Sequence, residues 1–339
     1  MAELPPLVQA MLDPTFYPHR PKEVELIQTH ISYLFLTGEL VYKVKKPVDF
    51  GFLDFTTLEK RRHFCQEEIR LNRRFSPEVY LAVVPISRDG NAFRLGDDTG
   101  VVEYAVKMKR INEDHMLYRL LEAGKVKFED MRRIGRHLAK SYAAIPSDEK
   151  AKAFGSLNVI ATNIKENFEQ TRKYISGPIS PEAFETIESW SLAFMKENTG
   201  LFERRVAQGS IKECHGDLHV QHICVEGEHI YVFDCIEFNE RFRFGDVASD
   251  VAFLAMDLDV NGHPDLARAF VDSYTEASSD TTLAQVLTFY KVYRAYVRAK
   301  VTSFMLDDPG LDKKTKAEVF QRAKAYYDLA LNYVTGSTN

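Results

Sequence analysis

Potentially reactive side chains gather in one segment of the sequence, residues 214–250. This segment holds four of the ten histidines, three of the four cysteines and a series of aspartates. Asp217 ends the tripeptide His-Gly-Asp, and Asp234 ends a short apolar run. Two carboxylates held close together can act as a base beside a metal ligand, or can share a metal ion. The segment therefore predicts acid–base or metal-assisted chemistry.

A short hairpin is predicted to position these two aspartates. Two β-like runs, 222–225 (HICV) and 230–233 (IYVF), flank a Glu-Gly-Glu turn. Asp217 lies just before the first run and Asp234 follows the second. The hairpin is therefore expected to hold both carboxylates at one mouth.

The first hundred residues predict a small α+β lobe. The runs 30–36 (HISYLFL) and 40–45 (LVYKVK) flank a tight turn and read as two strands. Alternation along the second run puts Val41, Lys43 and Lys45 on one face. Residues 58–74 lack glycine and proline and carry a helical apolar stripe. Further antiparallel strands are predicted at 81–86 and 101–108.

The rest of the chain predicts helices, apart from the hairpin. The predicted ranges are 115–121, 128–144, 158–175, 182–208, 263–277, 281–306 and 313–334. We expect two lobes sharing a cleft: residues 1–108, a hinge at 109–114, and a helical lobe at 115–339 that contains segment 214–250.

Composition excludes several classes of protein. No two of the 17 glycines form GxG, and no pair has the spacing of GxxxxGK[ST], so the common phosphate-binding loops are absent. The formal charge of −5 gives no field to attract nucleic acid, and no apolar run is long enough to span a bilayer. The four cysteines suggest no secreted disulfide framework, and the N-terminus resembles no signal peptide. A reducing, cytoplasmic location is expected, with neither nucleic acid nor membrane as a partner.

The sequence HGDLHVQH (215–222), followed by VFD (232–234), resembles the HGDxxxxN and later Asp of aminoglycoside phosphotransferase-like kinases. The resemblance covers roughly residues 25–305. It implies an α+β, two-lobed protein-kinase-like fold, with a small antiparallel sheet and helix in one lobe and mainly helices in the other. The runs around THISYLFL, EEIRLNRR and FDCIEFNERFR resemble an uncharacterised bacterial subgroup, often fused to a C-terminal P-loop kinase domain. Because GxxxxGK[ST] is missing, that domain is expected to be absent from this sequence.

The resemblance implies an enzyme that uses ATP and Mg²⁺ to phosphorylate a hydroxyl of a small molecule. Asp217 matches the catalytic aspartate and Asp234 the metal ligand. Lys43 matches the lysine that binds the phosphates, with Lys45 as the second candidate. Its carboxylate partner is expected to be Glu68, because apolar residues lie at i+3 and i+7 on its side, whereas Glu67 has arginines there.

Further roles follow from the same resemblance. Adenine is expected to meet backbone groups near Met108. His215 and Asp246 match residues that support the catalytic loop, with Asp250 as a possible helper. His222 replaces the asparagine that would bind a second Mg²⁺, and hard Mg²⁺ prefers oxygen to imidazole nitrogen.

Two alternatives stay open on the sequence alone. His222 could mark a nucleotide-binding pseudokinase or regulator without transferase activity. A zinc-dependent hydrolase is the other alternative, with ligands drawn from His215, His219, His222, Cys214 and Cys224. A helical pair of His215 and His219 is disfavoured because Gly216 and Asp217 lie between them. The cysteines in apolar runs are interpreted as core thiols.

Overall fold

A computed structural model describes residues 4–336, which group into two compact units. The first unit combines the chain up to Ala123 with Gln221–Arg243. The second combines Gly124–Val220 with the chain from Phe244 onward. The chain therefore leaves the second unit after residue 220 and returns to it at residue 244. The lobe limits drawn from the sequence, with a hinge at 109–114, stay a prediction.

Strands and helices follow in mixed order along the chain. The strands are β1 (Glu25–Gln28), β2 (Ser32–Thr37), β3 (Leu40–Lys45), β4 (Tyr80–Asp89), β5 (Ala92–Leu95), β6 (Val101–Lys109), β7 (Ile211–Glu213), β8 (Ile223–Glu226), β9 (His229–Val232) and β10 (Phe244–Asp246). The helices are α1 (Pro6–Ala10), α2 (Leu58–Asn72), α3 (Leu117–Glu122), α4 (Phe128–Ala143), α5 (Glu149–Phe154), α6 (Leu157–Thr171), α7 (Pro181–Glu197), α8 (Thr199–Ala207), α9 (Glu240–Arg243), α10 (Val247–Val260), α11 (Pro264–Ser278), α12 (Leu283–Phe304) and α13 (Lys313–Thr335).

The first unit is built on an antiparallel sheet of six strands in the order β1-β2-β3-β6-β4-β5. Gly38 has φ +78° in the turn that joins β2 to β3, a conformation that favours glycine. Alternation along β3 sends Val41 into a core cluster with Cys65 and Ile69 of α2, and Tyr42 into a second core cluster. Strand β3 therefore lies inside the sheet, with α2 packed on one of its faces.

Helix α2 begins and packs as the sequence pattern predicts. Thr57 precedes it, and the Thr57 hydroxyl accepts a hydrogen bond from the backbone N–H of Lys60 at 3.2 Å. Cys65, Ile69 and Leu71 are buried along its length. Segment 223–232 forms the predicted hairpin, β8 paired antiparallel with β9. The predicted α+β class is thus present in this unit.

The second unit is mainly helical, and the break between α7 and α8 differs from the prediction. The sequence favours one helix over 182–208, but α7 and α8 are separate. Asn198 leaves the helical conformation at φ −109°, ψ 25°, and its side-chain amide donates to the carbonyl of Phe194 at 2.9 Å. An asparagine that binds the backbone of the preceding turn competes with helix continuation.

Helix α10 was not predicted as a helix. Its residues are almost all buried, so no polar face reveals a helical period. Asp246 caps its N-terminus by accepting from the N–H of Ala248 at 2.9 Å.

Two further expectations concern membranes and thiols. Among residues 4–336, no helix combines the length and the apolar character needed to cross a membrane. All four cysteines are buried and unbonded to one another, as core thiols would be. Burial raises the pKa of the Cys65 and Cys224 thiols to about 12, which keeps them protonated near neutral pH.

Gly135 allows close packing between α4 and α11. A Cβ atom there would lie 2.8 Å from both the carbonyl oxygen of Phe270 and the backbone nitrogen of Tyr274. We expect Gly135→Ala to lower the free energy of unfolding by about 1–3 kcal/mol, because the backbones would have to separate. Urea unfolding followed by circular dichroism measures this.

Gly200 provides the matched control, since its Cβ would meet only the end of the Arg204 side chain at 3.7 Å. Gly200→Ala should be neutral or stabilising by up to about 1 kcal/mol. Equal destabilisation by both substitutions would contradict the packing argument.

Candidate active site

Two lysines on strand β3 face the same side of the sheet in the first unit. Lys43 pairs in register with Leu34 of β2 and Val106 of β6, so it lies at the centre of the sheet. Its side chain is 11% exposed, whereas that of Lys45 is 1% exposed. Lys43 is therefore the lysine that a ligand can reach.

Five charged side chains of this unit form a continuous chain of ion pairs. Lys43 Nζ lies 2.8 Å from Oδ1 of Asp234 and 2.9 Å from Oε1 of Glu68. Lys45 Nζ lies 2.7 Å from Oε2 of Glu68 and 2.5 Å from Oε1 of Glu237. Each oxygen of Glu68 thus meets a different lysine. We call these five residues the charge chain.

The pKa values in the charge chain are set by burial and by the opposing charges. Burial acts to lower the pKa of Lys43, but Asp234, Glu68 and Glu237 outweigh it and raise that pKa well above its usual value. Burial acts to raise the pKa of Glu68, but the two lysines outweigh it and lower that pKa. Lys43 and Glu68 therefore stay ionised near neutral pH.

Helix α2 and the turn after it hold the segment that carries Asp234. Glu68, Asn72 and Ser76 are spaced four residues apart and are all fully buried. The Ser76 hydroxyl donates to the carbonyl of Val232 at 2.8 Å and accepts from its N–H at 2.7 Å. The Asn72 side chain accepts from the N–H of Cys235 at 2.9 Å. The backbone on both sides of Asp234 is thereby fixed.

Asp234 itself has a left-handed backbone, with φ +65°. Its N–H donates to the Tyr80 hydroxyl at 3.1 Å, and its side chain is 45% exposed. Nε2 of His222 lies 3.7 Å from its Oδ2. An exposed carboxylate is a donor that Mg²⁺ prefers, whereas the His222 nitrogen suits transition metals better. Asp234 thus fits a Mg²⁺ ligand and His222 fits one less well.

Two more predicted residues of this unit have defined surroundings. Glu67 pairs with Arg70 at 2.7 Å and lies 3.7 Å from Arg243, away from the lysines. Met108 lies within β6, in register with Val41 and Tyr80, and its side chain is buried in a core cluster. The contact of adenine with backbone groups near Met108 stays a prediction.

In the second unit, the backbone before Asp217 is held by Asp250. Oδ2 of Asp250 accepts from the N–H of His215 at 2.7 Å and from that of Gly216 at 3.2 Å. Arg294 donates to Oδ1 of Asp250 at 3.2 Å and to the carbonyl of Gly216 at 2.9 Å. Asp250, which is fully buried, therefore organises this loop.

Asp246 does not make the contact expected of it. Its carboxylate caps α10 and pairs with the guanidinium of Arg205, at 2.5 and 2.7 Å. Instead, Asp250, one turn further along α10, accepts the hydrogen bonds from the loop backbone. Both aspartates lie on the same helix end, which is why the sequence alone favoured the wrong one for this contact.

The Asp217 side chain is 34% exposed and stays accessible from its loop. Its N–H donates to Nδ1 of the buried His215 at 3.3 Å, and Nε2 of His219 lies 3.4 Å from its Oδ2. Residues 215–219 contain no helix, so the helical histidine pair of a zinc site is not formed there.

Several residues of these arrangements were not found by sequence reasoning. Asn72 and Ser76 follow Glu68 at intervals of four residues. Polar residues at this helical spacing are a pattern from which both could have been predicted. Glu237 is the one acid in the apolar stretch around Ile236 and Phe238. The sequence contains no such signal for the contacts of Arg294 and Tyr142 with Asp250, which join distant parts of the chain.

Removing the charge of Asp250 should destabilise the second unit. Asp250→Asn would leave the buried Arg294 without its carboxylate, and breaking a buried ion pair from one side costs about 3–5 kcal/mol. Urea unfolding measures the loss. Asp272→Asn, on the exposed face of α11, should change stability by less than about 0.5 kcal/mol. An equally small effect at Asp250 would contradict its central position.

Known proteins match this chain in sequence over different lengths. Residues 167–286, which include Asp217, match the family model described as "Phosphotransferase enzyme family". Uncharacterised proteins of Mycobacterium tuberculosis and Mycobacterium bovis are 32% identical over 279 residues, covering 82% of this chain and 54% of theirs. The chain thus spans about half the length of these relatives. The fusion of such relatives to a P-loop domain stays a prediction.

Solved structures match over nearly the whole chain. A choline/ethanolamine kinase family protein of Mesorhizobium loti has a TM-score of 0.54 and 13% identity, covering 97% of this chain and 99% of its own. Aminoglycoside 2′-phosphotransferase-IIIa in complex with GDP has a TM-score of 0.54 and 14% identity, with coverages of 95% and 99%. Amicoumacin kinase in complex with AMP-PNP and Ca²⁺ has a TM-score of 0.50 and 11% identity, with coverages of 95% and 92%.

Identities this low show that the folds are similar. The match of residues 167–286 to the family model shows a relation in sequence. Together they confirm the resemblance predicted above: residues 167–286 match the phosphotransferase family model, and the chain has the two-lobed α+β, protein-kinase-like fold of these solved structures.

Proposed function

We propose that this protein is an ATP-dependent phosphotransferase that phosphorylates a hydroxyl group of a small molecule. The observation that supports it most is the charge chain, in which one partly exposed lysine lies between a buried glutamate and an exposed aspartate. Phosphoryl transfer needs little covalent chemistry from the protein, because positioning and charge neutralisation supply most of the catalysis.

In the first unit, Lys43 would bind the phosphates of ATP, and Glu68 would orient it. Asp234 would hold Mg²⁺, which when bound neutralises the charge of the phosphates. The adenine would meet backbone groups near Met108. The complexes of similar folds with GDP and with AMP-PNP and Ca²⁺ are consistent with a nucleotide and a divalent cation.

In the second unit, Asp217 would act as the general base. The acceptor hydroxyl oxygen forms a bond to the γ-phosphorus, and the bond from that phosphorus to the oxygen bridging to the β-phosphate breaks. Asp217 accepts the hydroxyl proton, and ADP leaves with the bridging oxygen. The buried residues His215 and Asp250 accept hydrogen bonds from the backbone of the loop, which would position the base.

The proposal predicts that Asp217 is needed for turnover but not for nucleotide binding. Asp217→Asn should reduce phosphoryl transfer by about 10²–10⁴-fold, because the proton acceptor is lost. ATP·Mg²⁺ affinity, measured by calorimetry, should stay within a few-fold of the wild type. Asp265→Asn, an exposed aspartate of α11, serves as the control. Undiminished transfer by Asp217→Asn would reject this assignment.

The first experiment is a thermal-shift comparison of ATP, GTP and ADP, each with and without Mg²⁺. It should be followed by a screen of hydroxyl acceptors with the best nucleotide. A zinc hydrolase would instead contain stoichiometric zinc by metal analysis, with no shift by ATP. The four cysteines are buried and form no disulfide with one another, which supports a reducing compartment, and we propose the cytoplasm.

A nucleotide-binding regulator is the second candidate, and His222 is the observation that favours it. Its imidazole lies 3.7 Å from Asp234, where an oxygen ligand would serve Mg²⁺ better. If the protein is an active kinase, His222→Asn should lower the Mg²⁺ concentration that ATP binding requires, and should keep or raise the turnover rate. If it is a regulator, His222→Asn should bind ATP·Mg²⁺ and still transfer no phosphate to any acceptor.

A further inference from the structure

Lys45 has no part in the role proposed for Lys43, yet it is the more deeply buried of the two. Its side chain is 1% exposed, so phosphates cannot reach it. Its ammonium lies between Glu68 and Glu237, and 4.9 Å from the centre of the Phe55 ring. Burying an ammonium is costly unless carboxylates surround it at short distance. A group kept at such cost calls for an explanation.

The geometry of Glu68 supplies that explanation. Its two oxygens are divided, with Oε1 on Lys43 and Oε2 on Lys45. Rotation of Glu68 away from Lys43 would also leave Lys45 with one carboxylate fewer in a buried site. Glu237 binds the other side of Lys45 and lies three residues after Asp234. Lys45 therefore connects strand β3, helix α2 and the segment that carries Asp234.

We infer that Lys45 and Glu237 are a positioning pair, which keeps Glu68 on Lys43 and fixes segment 232–237. All contacts of the pair are made by side chains of the protein itself, so the positioning needs no nucleotide. In protein kinases the corresponding lysine–glutamate pair is a point of control. Here a second lysine holds the other oxygen of the glutamate. The catalytic consequence rests on the function proposed above.

The charge chain allows a test that distinguishes the effect of side-chain position from the effect of net charge. With all five groups ionised, the charge chain carries −3 + 2 = −1. The double variant Lys45→Met with Glu237→Gln carries −2 + 1 = −1, so the net charge that ATP meets is unchanged. The single variant Lys45→Met leaves two buried carboxylates with one lysine and is expected to fold poorly. The double variant avoids this.

Hydrogen exchange tests the positioning without any nucleotide. In the full chain, the amides of Val232, Asp234 and Cys235 are held by the side chains of α2 and its neighbours. The double variant should exchange them at least tenfold faster, while the amides of β8 and those of residues 229–231 in β9 stay protected. Unchanged exchange in segment 232–237 would overturn the inference.

Calorimetry with ATP·Mg²⁺ tests the consequence. Loss of a partner that orients a ligand-binding group weakens affinity or activity about 10–100-fold, and we expect a loss in this range for the double variant. The matched control removes a surface ion pair, by Lys60→Met with Asp54→Asn, and should change neither readout. Wild-type affinity in a double variant that is merely less stable would overturn the positioning role. Faster exchange with no nucleotide binding by the wild type would instead reject the proposed function and leave the positioning pair in place.

Discussion

The first unit depends on one carboxylate, Glu68, that is shared by two lysines. Glu68 is fully buried, and burial alone would favour its neutral form. It stays ionised because both of its oxygens meet an ammonium within 3 Å. Such an arrangement is stable only when every distance is short, since a buried charge that loses its partner is costly. The positions of β3, α2 and segment 234–237 are therefore linked.

Helix α2 adds directional contacts to this electrostatic link. Apolar packing alone would tolerate small shifts of the chain along the helix. The hydrogen bonds of Asn72 and Ser76 do not, because each satisfies specific backbone groups of segment 232–235. They also offset the left-handed backbone of Asp234, a conformation that costs a non-glycine residue about 1–3 kcal/mol. A strained aspartate persists where its surroundings fix it from several sides.

The sequence was sufficient for the fold class, the central strands, α2 and the hairpin, because their patterns are local. It also distinguished Glu68 from Glu67, since apolar neighbours mark the inward face of a helix. It failed for α10, whose burial on all sides removes any period. It failed between Asp246 and Asp250 because both lie on one helix end, and only the tertiary packing decides which meets the loop. Glu237 was missed because a single acid in a short apolar run has no pattern.

Both units fix a reactive carboxylate in the same way, although their elements differ. Asp234 and Asp217 each lie on irregular backbone, and their side chains are 45% and 34% exposed. The groups that hold their segments, Asn72 and Ser76 in one unit and Asp250 in the other, are fully buried on or beside a helix. The polar groups that bind backbone are thus removed from water, where their hydrogen bonds are strongest. The two carboxylates left accessible are the ones for which we propose contact with a metal and with a substrate, so the groups that hold these two segments differ from the groups that the segments present.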